Sequence, residues 1–307
     1  MSRAHRLVLS LAFAAVACAS SPSEIRPASG GEGFPVTVTA PNGEVEIARR
    51  PERIISLSPT STEMLFAIGA GDQVVAVDAN SNYPAEAPVT DLSGYEPNIE
   101  SIAGYEPDLV VASDDLGDLV DSLEPLDIPL ILQPAAETLE DTYAEIEQLG
   151  VATGNPAGAT EVVESMESEI ETIVQSVPEL SEPPTYYHEL DDTYFTATSE
   201  TFIGTVYGLL GLRNIADRAD EEGSGYPQLS GEYIIQADPD LIFLSDTKCC
   251  AQSLETVSER PGWDRLTAVR TGAVVELDDD IASRWGPRVV EFLRTAAAAL
   301  SDLEPAG

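Results

Sequence analysis

The sequence has few basic residues. Its 307 residues include 15 Lys and Arg against 54 Asp and Glu, which gives a formal net charge of −39 at pH 7. No Lys or Arg lies between Arg53 and Arg213, and Lys248 is the only lysine. Nucleic-acid binding depends on Lys and Arg that displace counterions from phosphates, so this composition excludes nucleic acid as a partner. A hydrated acidic surface, as in proteins from high-salt habitats, is the simpler interpretation, with a cation-binding role as the alternative.

Catalytic motifs are missing as well. The sequence has no G-x-S-x-G, P-loop or H-E-x-x-H pattern and no G-x-G-x-x-G after a strand. One of the two histidines lies in the N-terminal leader; the other, His188, fits a core or surface role better than ligand contact. Acid clusters such as residues 278–280 are expected by chance among 54 carboxylates, so they indicate neither acid–base catalysis nor calcium binding. We therefore expect a protein that is not an enzyme and has neither a metal site nor a cofactor.

No apolar run reaches the eighteen or so residues that a transmembrane helix needs. The run over residues 7–17 follows Arg3 and Arg6, and this order is typical of a signal peptide over residues 1–17. Small residues directly before Cys18 resemble a lipoprotein signal. We therefore expect an extracytoplasmic protein with lipid on Cys18, anchored to the outer face of the cell membrane. An ordinary cleaved signal peptide is the alternative.

The other two cysteines, Cys249 and Cys250, are adjacent. An extracytoplasmic compartment favours thiol oxidation, and neighbouring cysteines can close a strained eight-membered ring. Two thiols beside no histidine make a poor metal site. The sequence therefore predicts a vicinal disulfide, with two free thiols as the alternative.

Strand and helix patterns alternate after a Ser-, Pro- and Gly-rich tether over residues 18–35. A hairpin is predicted around the Asn42-Gly43 turn signal. Further on, a short apolar strand precedes a helix with Ser58 as its N-cap, and Thr60 with Glu63 fits a capping box. The alternation predicts a mostly parallel sheet that is covered by helices.

One long amphipathic helix is predicted near the middle of the chain. Apolar residues at spacings of three and four follow Asn155-Pro156, and prolines end the pattern after Val177. Strands and helices alternate again after it, so the helix lies where a connection between two lobes is expected. The predicted boundaries are an N-terminal lobe over 36–154, the inter-lobe helix over 155–177 and a C-terminal lobe over 178–307.

An internal repeat supports the two lobes. Glu100 precedes the tripeptide Pro-Asp-Leu at 107–109 by seven residues, and Glu232 precedes the same tripeptide at 239–241 by the same spacing. The predicted fold class is therefore α/β, with two doubly wound parallel-sheet lobes joined by one long inter-lobe helix.

Aromatic residues occupy predicted loops after strands, where ligands of open α/β sheets bind. These candidates are Tyr83, Tyr95, Tyr226 and Trp285. Each ring alone has a packing role as its alternative, but together they favour a binding cleft.

Six motifs occur in order between residues 36 and 303: RIISLSPTSTEMLFAIGAGDQVVAV, NYP, NIESIAGYEPDLVVAS, YPQLSGEYIIQADPDLIFLS, PGWDRLTAVRTGAVVEL and RWGPRVVEFL. Together they resemble the helical-backbone (class III) substrate-binding proteins of ABC importers, of the vitamin B12 and iron-siderophore type. The resemblance implies capture of a bulky small molecule, delivery to a dimeric permease with its ATPase subunits, and modest hinge motion. We expect a monomer.

The resemblance also implies roles for single residues. Glu100 and Glu232 match the two glutamates that dock on the permease. The ligand contacts at matching positions are Tyr83, Tyr95, Tyr226, Asp280 and Arg284, beside the candidate Trp285. The chain looks closest to cobalamin-binding proteins, although tyrosines stand where that group often has tryptophan and Ser113 replaces a pocket aromatic.

The scarcity of basic residues favours a nearly neutral ligand, cobalamin or another corrinoid, over a ferric siderophore or haem. Zinc or manganese capture needs a histidine cluster that the sequence lacks. Two functions from other classes stay open at this point. One is an enzyme on a nitrogenase-like scaffold, which needs a convergent catalytic set, and the other is a cell-wall sensor or adhesion protein, which binds without the glutamate pair.

Overall fold

The computed structural model describes residues 33–178 and 182–303. The predicted signal peptide, the lipidation candidate Cys18 and most of the predicted tether lie outside these residues. Among the described residues, no helix has the length and apolar character to cross a membrane.

Ten strands and eleven α-helices follow one another along the described chain. The strands are β1 Val36–Ala40, β2 Gly43–Ile47, β3 Ile54–Ser56, β4 Val74–Val77, β5 Leu109–Ala112, β6 Leu130–Leu132, β7 Thr185–Glu189, β8 Arg213–Asn214, β9 Leu241–Leu244 and β10 Val274–Glu276. The helices are α1 Pro59–Ala67, α2 Ile99–Gly104, α3 Leu119–Leu123, α4 Leu139–Thr153, α5 Pro156–Ser176, α6 Phe202–Gly208, α7 Gly231–Ala237, α8 Leu254–Ser258, α9 Thr267–Thr271, α10 Asp279–Ala282 and α11 Val289–Ser301.

Two four-stranded parallel sheets form the two lobes. Their strand orders are β4-β3-β5-β6 and β8-β7-β9-β10, so the lobes have the same topology. The predicted fold class of two parallel-sheet lobes is confirmed. The predicted hairpin is confirmed as well, because β1 pairs antiparallel with β2 across the Asn42-Gly43 turn.

The two central strand pairs have the same register. Ile54 of β3 faces Leu109 of β5, and Tyr186 of β7 faces Leu241 of β9, 132 positions later in both strands. The internal repeat of the sequence is therefore a repeat of the sheet, strand for strand.

The aspartate of each Pro-Asp-Leu tripeptide explains why this short motif recurs. The Asp108 carboxylate accepts from the backbone N–H of Arg53 at 2.8 Å, and the Asp240 carboxylate accepts from that of Thr185 at 2.8 Å. Each aspartate also donates its own backbone N–H to the carbonyl of the same partner at 3.0 Å. The motif thus fixes the start of the first strand of each lobe against the strand that follows the tripeptide.

The start of α1 differs in one respect from the prediction. Ser58 is the N-cap, since its Oγ accepts from the backbone N–H of Ser61 at 3.3 Å. Thr60 lies inside the helix, so the capping box with Glu63 is wrong. The carboxylate of Glu63 instead accepts hydrogen bonds from Arg284 and Arg288, far along the chain.

Helix α5 joins the lobes and packs against both α4 and α11. Its buried residues recur on one side, at Ala159, Val163, Met166, Ile170 and Ile173, while acidic side chains cover the outer side. Burial of this stripe removes about 1.5–3 kcal/mol of hydration cost per large side chain.

The largest apolar cluster runs without interruption from one lobe to the other. It includes Ile54 and Leu109 of the N-terminal sheet, Met166 of α5, and Phe243 and Phe292 of the C-terminal half. A smaller apolar cluster lies on the other face of each sheet. Each sheet is therefore covered on both faces, as parallel sheets require.

Candidate functional site

The carboxyl ends of the strands carry loops with exposed aromatic side chains. The exposed fractions are 45% for Tyr83, 75% for Tyr95 and 49% for Tyr226. The loop that carries Tyr95 crosses the end of β3 closely, because a Cβ on Gly94 would lie 2.3 Å from the carbonyl oxygen of Leu57. Parallel sheets bind their ligands at this edge, so these rings lie on the correct side for contact.

Phe195 is an aromatic residue that the sequence analysis missed. It follows β7 in a loop, is 39% exposed, and forms an isolated antiparallel bridge with Gln228, two residues from Tyr226. An exposed aromatic after a buried strand is the same signal that identified Tyr83, so the pattern TYYHELDDTYF could have revealed it.

A network of charges links the two lobes near Tyr83. Glu63 of α1 is only 3% exposed and accepts from Arg284 Nη1 at 2.8 Å, from Arg288 Nε at 2.8 Å and from Arg288 Nη2 at 2.5 Å. Arg284 also donates to the carbonyl oxygen of Asn80 at 3.1 Å and to Asp280 Oδ1 at 2.9 Å. Both guanidinium groups are thus held against the N-terminal lobe.

The network extends outward through Asp280. Its Oδ2 accepts from Asn82 Nδ2 at 3.0 Å and from Lys248 Nζ at 2.7 Å, and Lys248 also binds Asp278 at 2.6 Å. Burial opposes ionisation of Asp280, but the hydrogen bonds from Lys248 and Asn82 outweigh it and lower its pKa. We call this set the cross-lobe network; it comprises Glu63, Asn80, Asn82, Lys248, Asp278, Asp280, Arg284 and Arg288.

The network also contacts one of the aromatic rings. The guanidinium carbon of Arg288 lies 4.1 Å from the centroid of the Tyr83 ring, in cation–π geometry. Of the residues that the resemblance implies, the structure therefore brings together Tyr83, Asp280 and Arg284. The hydrogen bonds and ion pairs of the described residues do not join Tyr95 or Tyr226 to this group.

Trp285 lies next to the network but faces α4. Its indole Nε1 donates to Glu145 Oε2 at 3.0 Å, and its ring is partly buried against the main core. Burial raises the pKa of Glu145 to about 7, although the indole N–H opposes this change. Trp285 thus forms another contact between the last helical segment and the N-terminal lobe.

The strand ends of the C-terminal lobe contain buried charges that the sequence analysis missed. Glu189, at the end of β7, is fully buried and binds Arg260 through two hydrogen bonds of 2.6 Å. Asp246, just after β9, is also fully buried, and neither of its oxygens accepts a hydrogen bond from a described donor. Burial, followed by the neighbouring Glu189 carboxylate, raises the pKa of Asp246 to about 7.

His188 is fully buried in the sheet. Its Nδ1 lies 2.9 Å from the Tyr207 hydroxyl and its Nε2 lies 3.0 Å from the Ser245 hydroxyl. Burial lowers the pKa of His188 to about 3, so the imidazole is neutral at physiological pH. With both ring nitrogens bonded, this histidine has a core role.

Cys249 and Cys250 lie in a loop that wraps around the carboxylate of Asp279. The backbone N–H groups of Thr247, Lys248 and Cys249 donate to it at 2.9 to 3.0 Å. Both cysteines are free thiols in the structure. Desolvation, and next the adjacent Cys250 thiol, raise the pKa of Cys249 to about 12, so its reactive thiolate is rare at neutral pH. The vicinal disulfide therefore stays a prediction.

Glu100 and Glu232 lie at equivalent positions in the two lobes. Both side chains are exposed in the first turn of a short helix, α2 or α7, whose N-cap is Asn98 or Ser230. Each helix leads into the central strand that follows it, so its first turn lies at the carboxyl edge of the sheet. Each lobe thus presents one carboxylate at the same place.

Comparison with known proteins agrees with this arrangement of lobes. Residues 54–281 match the family model described as periplasmic binding protein. The chain belongs to this family. It is 30% identical over 279 residues to the uncharacterized ABC transporter substrate-binding lipoprotein YvrC of Bacillus subtilis, with 88% of this chain and 86% of that protein covered. It is 31% identical over 276 residues to a cobalamin-binding protein of Halobacterium salinarum, with 87% of this chain and 74% of that protein covered.

Solved structures give the same result for the fold. The vitamin B12-binding protein BtuF of Vibrio cholerae superimposes with a TM-score of 0.69 at 26% identity, covering 82% of this chain and 97% of that chain. Haem-binding proteins of known structure share the fold as well. The chain is therefore a periplasmic binding protein of an ABC transporter, as the sequence predicted, and its relatives are extracytoplasmic substrate-binding proteins rather than enzymes.

Proposed function

We propose that this periplasmic binding protein captures a corrinoid in the cleft between its lobes and delivers it to a dimeric ABC permease. Cobalamin-binding and vitamin B12-binding proteins are among its relatives. The proposal depends most on one observation, the pairing of every charge in the cross-lobe network.

The three cations of the cross-lobe network are each bound by carboxylates. Lys248 binds Asp278 and Asp280, Arg284 binds Glu63 and Asp280, and Arg288 binds Glu63. Three carboxylates thus face three cations, and the formal charges cancel. Capture of an anionic chelate needs basic groups that are free to bind it, so the network favours a ligand without net charge. Cobalamin is such a ligand.

The exposed aromatic rings supply the apolar part of the site. Tyr83, Tyr95, Tyr226 and Phe195 lie in loops on both lobes and offer flat faces, and the tyrosines add a polar tip. A large, flat macrocycle buries such faces well. We include Phe195 among the ligand contacts on this ground, together with the residues that the resemblance implies.

Haem is the second candidate, because a tyrosine phenol can serve as an axial iron ligand. Tyr95 is the most exposed tyrosine among these rings. His188 does not serve this role, since it is buried with both nitrogens bonded.

Absorption spectroscopy and calorimetry test the ligand. The purified protein is incubated in molar salt with cyanocobalamin, haemin or a ferric hydroxamate, desalted, and its spectrum recorded. We expect retention of the corrinoid spectrum and a saturable heat of binding for cyanocobalamin. Retention of haemin alone, with loss of the Soret shift in Tyr95→Phe, would replace the corrinoid by haem.

We further propose a lipoprotein monomer that is not an enzyme, anchored through Cys18. Mass spectrometry of the native protein should find Cys18 at the mature N-terminus with diacylglycerol attached. The same measurement, with and without reductant, should reveal a loss of two hydrogens if Cys249 and Cys250 form the disulfide. An unmodified N-terminus at another residue would remove the anchor.

A further inference from the structure

Glu63 occupies an unusual position in the cross-lobe network. It is the most buried of the three carboxylates, and its two oxygens receive three hydrogen bonds from Arg284 and Arg288. It lies on α1 in the N-terminal lobe, whereas both arginines lie between α10 and the start of α11 in the C-terminal half. The surface ion pair between Glu169 and Arg294, in contrast, leaves about half of each side chain exposed.

The two arginines reach toward the aromatic part of the cleft. Arg288 stacks on Tyr83, and Arg284 contacts the loop that carries Tyr83 through the carbonyl of Asn80. Glu63 therefore determines whether the positive charge of these guanidinium groups is neutralised or is available to a ligand near Tyr83. Burial lowers the pKa of Arg288, but Glu63 and, to a smaller extent, the nearby Glu291 outweigh this effect and raise it.

We propose that Glu63 is a specificity-determining residue, which acts through Arg284 and Arg288 to exclude anionic ligands from the cleft. This inference rests on the proposed function, in that the ligand must lie beside Tyr83. Glu63 does not contact the ligand itself. It is a positioning residue that holds two cations in a neutral group.

The physical reason is the cost of an unpaired charge at a buried site. If Glu63 loses its charge but keeps its shape, Arg284 keeps Asp280 as a partner, whereas Arg288 loses the carboxylate that it binds in the network. A partly buried cation of this kind binds an incoming carboxylate strongly, because water solvates it poorly there. The preference of the cleft should then move from neutral toward anionic ligands.

The experiment compares ligands that differ only in charge. Cyanocobalamin is neutral, and its three monocarboxylic acids each carry one peripheral carboxylate in place of an amide. Affinities for the four compounds are measured by calorimetry in molar salt for wild type, Glu63→Gln and Glu63→Asp. Glu169→Gln serves as the matched control, because it removes a glutamate from an exposed pair with arginine.

The quantity compared is the ratio of the affinity for a monocarboxylic acid to the affinity for cyanocobalamin. In Glu63→Gln we expect this ratio to increase about tenfold or more for at least one acid, which corresponds to about 1.4 kcal/mol. Glu63→Asp keeps the charge and should stay near the wild-type ratio. Glu169→Gln should leave the ratio unchanged. A general loss of packing lowers all affinities together, so it does not produce this change in ratio.

A ratio within about twofold of wild type for all three acids in Glu63→Gln would overturn the inference. Wild type that binds none of the four compounds would instead overturn the proposed corrinoid function. In that case haemin, which carries two propionates, is the probe, and Glu63→Gln must then bind it more tightly than wild type. If Glu63→Gln does not fold by circular dichroism, Asp280→Asn removes a carboxylate from Arg284 at a more exposed position, and the same change in ratio is required of it.

Discussion

The two lobes have one topology but different chemistry at their strand ends. Position for position in the repeat, Ser56 and Leu57 of the N-terminal lobe correspond to His188 and Glu189 of the C-terminal lobe. In the N-terminal lobe the hydroxyl groups of Ser56, Thr62 and Ser81 bond to one another. In the C-terminal lobe a buried histidine and a buried ion pair fill the equivalent space.

The difference shows which residues the fold requires. Strand register and the Pro-Asp-Leu contacts are the same in both lobes, because they align backbone groups that any parallel sheet must pair. The residues that end each strand do not affect the register, so they are free to differ. The lobes therefore differ at the carboxyl ends of their strands and not in their backbone pairing.

The largest effect is expected at Glu100 and Glu232, the equivalent glutamates of the two lobes, which we propose dock on the permease. Glu100→Ala combined with Glu232→Ala should abolish uptake through the cognate importer, because each lobe would lose its charge at a desolvated interface, at a cost of about 2–5 kcal/mol per site. Glu100→Ala alone and Glu232→Ala alone should each reduce uptake, and by a similar fraction. Transport in reconstituted vesicles and calorimetric titration of ligand are measured on the same preparations.

Ligand affinity should stay near the wild-type value in these variants, and a control pair on the outer side of α5, Glu161→Ala with Glu164→Ala, should transport normally. Normal uptake by the docking double variant would remove the assignment, and collapse of its ligand affinity would place the two glutamates in the cleft.

The ion pair of the C-terminal lobe should give the largest effect on stability. Arg260→Met leaves Glu189 buried without its partner, which should lower the free energy of unfolding by about 3–5 kcal/mol. Adding Glu189→Leu, which copies Leu57 of the other lobe, should restore most of the loss. Chemical denaturation in molar salt provides the measurement.

The exposed pair provides the control for this comparison. Arg294→Met should cost less than about 1 kcal/mol, since solvent screens its interaction with Glu169. An equally small loss in Arg260→Met would contradict the view that the C-terminal lobe depends on a buried charge.

Substitution of the repeated aspartates should lower the free energy of unfolding by nearly equal amounts in the two lobes. Asp108→Ala and Asp240→Ala each remove a charged acceptor from a backbone N–H at a strand start, which should cost about 1–3 kcal/mol in either lobe. Asp192 is exposed, and Asp192→Ala should cost less than about 0.5 kcal/mol. A difference of more than about 2 kcal/mol between the two lobes would show that the repeat is equivalent in geometry only.

The smallest effect concerns pH and the buried Asp246. Its pKa is about 7 in the folded protein, above the ordinary value of 3.8, so the folded state holds a proton that the unfolded state releases between these values. Stability from this group is therefore greatest at acidic pH and falls as the pH rises toward 7.

Asp246→Asn keeps the size of the side chain and removes the titration. The unfolding free energy of the variant minus that of wild type should therefore increase by about 1 kcal/mol or more from pH 5 to pH 8. Chemical denaturation of both proteins at each pH provides the measurement. Glu145, whose pKa is also raised to about 7, contributes equally to both proteins and cancels. A constant difference across this range would mean that Asp246 is ionised in the folded protein throughout.

The sequence predicted the architecture well, because its signals are local and repeated. The short strand before α1, the hairpin and the long helix lie where the apolar periodicity and the turn residues indicated. The capping box at Thr60 and Glu63 was wrong, since local spacing cannot reveal that Glu63 pairs with arginines more than two hundred residues away. The buried carboxylates of Glu189 and Asp246 were missed for the same reason. Glu189 ends β7 and Asp246 follows β9, and these strands are neighbours only in the folded sheet.

The apolar cluster that passes through α5 has a consequence for how the chain can be divided. Neither half has a complete interior, because Met166 and its neighbours on α5 fill space against strands and helices of both halves. The protein should therefore melt in a single calorimetric transition in spite of its two sheets. A chain cut just after α5 should yield fragments that stay soluble and folded only when they are produced together.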